Sequence, residues 1–115
     1  MKDLKIIQTW NKKYHKNEAE HIIKEYEVKN DHWLAVNASS HYRKACEPKS
    51  AISILSKIKL DRITNKKLKS AICTTLGGAL RDIAEWTNAI SLGETAHSFT
   101  PDNFRPCTLL GAIYM

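Results

Sequence analysis

Apolar residues return at three- and four-residue steps along nearly the whole chain, and only four Gly and three Pro interrupt them. That spacing is the period of an α-helix, and so few breakers leave little room for the many turns of a β fold. Leu4, Ile7, Trp10 and Tyr14 form the first stripe. Asn17, three residues before Glu20, reads as a capping-box start, with Ala19, Ile22, Ile23 and Tyr26 behind it. Asn30-Asp31 breaks the pattern, and Leu34, Ala38, Tyr42 and Ala45 make the next face. Pro48 suits a first helical turn, ahead of Ala51, Ile54, Leu55 and Ile58.

Thr64-Asn65 are N-cap types. Beyond them Leu68, Ile72, Leu76, Ala79, Leu80, Ile83, Thr87 and Ile90 hold one face, which predicts a helix ending near Ile90. Gly77-Gly78 marks either a break in it or a close approach of two backbones. Gly93 ends the pattern. Thr100-Pro101-Asp102 opens a short final helix, after which Leu109, Leu110, Ile113 and Tyr114 pack onto the core. The expected fold is all-α: one domain over residues 1–115, a compact bundle of five or six helices. Trp10 and Trp86 are expected in its core.

Charge is unevenly spread. The whole chain carries +6. Between Arg43 and Lys69 lie nine cations (Arg43, Lys44, Lys49, Lys57, Lys59, Arg62, Lys66, Lys67, Lys69) against Glu47 and Asp61, a local excess of +7. The rest of the chain is therefore close to neutral. A basic segment on a neutral domain is the electrostatic footprint of phosphate binding. His41 and Tyr42 at its edge add rings that stack on unpaired bases. The expected nucleic-acid contacts are His41, Tyr42, Arg43, Lys44, Lys57, Lys59, Arg62, Lys66, Lys67 and Lys69.

Ala79 to Ser91 shares features with a helix-turn-helix. Ala84 is small enough for a close crossing, and Asn88 tolerates the positive φ of a turn. The would-be recognition helix, Leu92 to Phe99, holds no Lys or Arg, so it has nothing to grip phosphates or read bases.

No motif for catalysis or metal binding emerges. The five His residues (His15, His21, His32, His41, His97) show no catalytic spacing. His15, Glu18 and His21 splay about 120° between the outer two at ~100° per residue, too wide for an easy metal site. Phosphate-loop, nucleophile-elbow and dinucleotide patterns are absent, and no cofactor is expected. Cys46, Cys73 and Cys107 are odd in number and far apart, as in a reducing cytosol. No secretory start and no apolar run near the ~20 residues of a membrane span are present, so a cytoplasmic protein without a membrane partner is expected.

Trp33 stands off its helical stripe, and Leu110, Ile113 and Tyr114 make an apolar tail. These four are the candidates for a protein partner or a homodimer seam. The leading expectation is a non-enzymatic protein that binds DNA or RNA or regulates through it. The alternative is an interaction module that neutralises an enzyme, with an acidic protein as partner. A small ribonuclease toxin built around His41 is third.

Overall fold

The structure, a computed structural model, describes residues 2–101, with side chains from Ile6 onward. It is all-α, with five helices: α1 (Lys2–Lys29), α2 (His32–Lys44), α3 (Pro48–Ser56), α4 (Lys66–Asp82) and α5 (Trp86–Phe99). A single 3-10 turn, Leu60–Arg62, joins α3 to α4.

Local chemistry sets most boundaries. Asn30 takes φ 55°, a conformation Asn tolerates, and ends α1. The Asp31 carboxylate then accepts from the Trp33 N–H at 3.0 Å and starts α2. Pro48 sits in the first turn of α3. The Asn65 side chain accepts from the Leu68 N–H at 3.1 Å and caps α4.

The core holds Ala35, Leu55, Ile63, Leu68 and Ile72, with Tyr26, Val36, Ile54, Ile58, Leu60 and Leu76 packed around it. α1 and α2 run antiparallel: His15 meets His41, and Tyr26 meets His32. Among the described helices, α1 makes its principal contacts with α2. α4 and α5 form an antiparallel hairpin. Ser70, early in α4, donates to the Ala96 carbonyl late in α5 at 3.1 Å. A side chain as short as serine reaches that carbonyl only where the helices lie close. Buried small residues (Cys73 and Gly77 on α4; Ala89, Gly93 and Ala96 on α5) permit that approach.

Several expectations are corrected. Asn17 does not start a helix; α1 continues through it. Gly77-Gly78 does not break α4. What approaches Gly78 is a side chain: a Cβ built there would lie 2.5 Å from the Arg43 guanidinium carbon. The helix expected to reach Ile90 stops at Asp82, and Gly93 is buried inside α5. The left-handed residue of the turn is Ala84, at φ 63°, while Asn88 lies within α5. The long antiparallel packing of α4 on α5 also differs from the steep crossing of a helix-turn-helix. Trp10 and Trp86 are not core residues; they are 72% and 50% exposed. Cys73 is buried and Cys46 exposed. The expected final helix, Cys107 and the tail residues Leu110, Ile113 and Tyr114 lie outside the described residues.

Candidate nucleic-acid interface

The end of α1, the start of α2, α3 and the loop leading to α4 enclose an open cleft of about 700 Å³. Its floor is apolar, from Ile23, Ile54, Ile58, Ile63 and Leu68. Its rim carries Lys57, Lys59 and Arg62, all exposed. None of the three joins the ion pairs formed among the described residues. Lys57 and Lys59 follow directly on α3, and Arg62 closes the 3-10 turn, so one short connection presents all three. Thr64 and Asn65 bring the amino end of α4 to the same wall. Helix N-termini carry partial positive charge and free N–H groups, so the rim cations and the helix end act in the same sense.

Tyr26 and His32 complete the cleft, with the phenol oxygen 2.9 Å from His32 Nδ1. Burial raises the Tyr26 pKa, keeping it a phenol and a donor. A phenol donating to Nδ1 leaves Nε2 of His32 to carry the ring proton. Glu27 also lines the cleft. The sequence reading missed Tyr26, His32, Thr64 and Asn65. They come from two chain segments, and only the α1–α2 turn brings Tyr26 and His32 together.

The ten expected contacts do not form one surface. Lys57, Lys59 and Arg62 ring the cleft. Lys66 and Lys67 are exposed in the first turn of α4, and Lys67 also borders a second groove. The Lys69 ammonium lies 5.4 Å from the centre of the Phe99 ring, over α5. His41, Tyr42, Arg43 and Lys44 sit at the other end of α2, nine or more residues beyond His32, or ~14 Å at 1.5 Å per residue. Arg43 is engaged there: its Nε donates to Asp82 Oδ2 at 2.9 Å, clasping α2 to α4. His41 Nδ1 is 2.9 Å from His15 Nδ1. Burial raises the Tyr42 pKa.

Trp33 is 44% exposed and borders the second groove with Val36, Asn37, Ala71 and Phe99. No group of three or more metal-ligating side chains occurs among the described residues. Among them, too, no helix is long and apolar enough to cross a membrane. Comparison with known protein families, curated proteins and solved structures finds no match for this chain.

Proposed function

We propose that the protein binds single-stranded nucleic acid at the cleft between α1 and α3. The observation that carries this reading is the placement of Lys57, Lys59 and Arg62, outside the ion pairs formed among the described residues, around an apolar floor. Cations at the rim suit phosphates, and an apolar floor suits the face of an unpaired base. With Tyr26 donating to Nδ1, His32 Nε2–H offers a donor and the Tyr26 oxygen an acceptor to a base edge. An open pocket suits a splayed base better than a stacked duplex.

The test is binding of labelled single-stranded RNA and duplex DNA across a salt series. The single strand is expected to bind more tightly, with affinity falling steeply as salt rises. A Lys57→Ala/Arg62→Ala variant is expected to bind at least tenfold more weakly while keeping its helicity. Absent binding at low salt, or an unaffected double variant, overturns the reading.

One observation favours a second reading, RNA cleavage in the same cleft. His32 and Glu27 both line it, beside the cations that would hold the phosphate. Glu27 would take the 2′-hydroxyl proton as that oxygen attacks phosphorus. Protonated His32 would give its proton to the departing 5′-oxygen, leaving a cyclic phosphate. Cleaved probe, with cleavage lost in His32→Ala, supports this reading; an intact probe removes it.

A further inference from the structure

α1 is far longer than its partner. Its 28 residues span about 42 Å at 1.5 Å each, whereas α2 has 13. His15 meets His41 and Lys16 pairs with Glu47, so the helix before Tyr14 runs on past the end of α2. At 100° per residue, the buried and half-buried Ala19, Ile22, Ile23 and Tyr26 occupy an arc of roughly 100° facing α2. Ile6, Ile7, Trp10 and Tyr14 fall in another arc of roughly 100°, turned about 160° away. They are 53%, 55%, 72% and 57% exposed. Asn17, His21, Lys24 and Val28 continue that outer face to the end of the helix, all exposed.

The outer face has the spacing of a two-helix seam. Ile7, Trp10, Tyr14, Asn17, His21, Lys24 and Val28 follow alternating steps of three and four residues. Its polar members make the seam selective in register rather than uniformly adhesive. Charge along α1 is bipolar. Residues 4–17 hold Lys5, Lys12, Lys13 and Lys16 and no acid. Residues 18–27 hold Glu18, Glu20, Glu25 and Glu27 against Lys24. A negatively charged bilayer would attract the first half and repel the second. A copy of the same helix turned end for end matches both halves.

We infer that the outer face of α1 pairs with the outer face of α1 in a second copy of this chain, antiparallel. The contact is isologous, as two-fold symmetry requires. Centred near Lys16, it sets Lys13 of each copy against Glu20 of the other and packs Trp10 beside the other copy's His21. Lys13 and Glu20 are exposed and outside the ion pairs formed among the described residues. The cleft stays open, because Ile23 and Tyr26 lie on the opposite side of α1.

Sedimentation equilibrium on the full chain tests this. A dimer is expected below about 1 mM protein, with Trp10→Lys, Lys13→Glu and Glu20→Lys each weakening it by about tenfold or more. These positions are exposed in the single chain, so helicity and unfolding midpoint should hold and report intact folding. An equimolar mixture of Lys13→Glu and Glu20→Lys chains is expected to recover the dimer, since every pair is again opposite in charge. A chain that stays monomeric overturns the inference, as does a Trp10→Lys chain that dimerises normally. Glu20→Lys tightening the dimer also overturns it, because a parallel pair would set residue 20 against Glu25. A monomer that instead cosediments with phosphatidylglycerol vesicles through Trp10 overturns it in favour of a lipid surface.

Discussion

Two imidazoles 2.9 Å apart, His15 and His41, can share one proton between their Nδ1 atoms but not hold two. His41 titrates below the ordinary histidine range, first through burial, then through repulsion from His15 and Lys44, with Glu18 opposing. The unfolded chain therefore binds this proton at higher pH than the folded one. Stability from the pair is present above the unfolded value and is lost as pH falls through the folded one. Thermal unfolding midpoints should decline on titration from neutral toward pH 5, and His41→Gln should flatten that decline. An unchanged slope in the variant would show that other groups set it. Ala84 carries a different residue-level cost. It is exposed at φ 63°, and a left-handed non-glycine residue costs about 1–2 kcal/mol. Glycine would remove that cost but enlarge the freedom of the unfolded chain, so Ala84→Gly should stabilise by a net ~0.5–1 kcal/mol in urea unfolding.

Ala84 also explains why one helix boundary was hidden. The Glu85 N–H bonds the Leu80 carbonyl and the Ala84 N–H the Arg81 carbonyl, a Schellman end at which glycine is usual. With alanine there, nothing in the local chemistry says stop, and the apolar period runs on to Ile90. The α1–α2 break was legible because Asn30 and Asp31 are the residue types such a break wants. Periodicity likewise found the stripe of Ile7, Trp10 and Tyr14 but could not show whether another helix covers it. α4 shows the converse case, where a legible cap precedes charges that work against the helix. Lys66 and Lys67 sit in its first turn, where the dipole favours acids and none is present. Lys66→Glu should therefore stabilise the fold by about 0.5 kcal/mol while weakening nucleic-acid binding. Unfolding and binding measured on one preparation check both signs; unchanged binding would place Lys66 outside the nucleic-acid contact.

At the scale of the molecule, the fold sorts a cationic run that looks uniform in sequence. The excess of charge between Arg43 and Lys69 was legible. Its division was not, because α2 carries His41–Lys44 to one end of the bundle while the connection after α3 holds Lys57, Lys59 and Arg62 at the other. Arg43 makes the sharpest contrast. Its guanidinium lies over Gly78 and pairs with Asp82, so its charge is already answered within the protein. Arg62 has the same chemistry and no such ion pair among the described residues. Counterion release counts phosphates neutralised, at a slope of about 0.7 per contact on single strands. Arg62→Ala should accordingly lower the salt slope of RNA binding by about 0.7 and weaken affinity at every salt concentration. Arg43→Ala should leave the slope unchanged and instead cost up to about 1 kcal/mol of stability, since it removes the clasp between α2 and α4 while Arg81 still pairs with Asp82 at 3.5 Å. If Arg43→Ala lowers the slope as far as Arg62→Ala does, the strand runs along α2 and the cleft is only one end of its path.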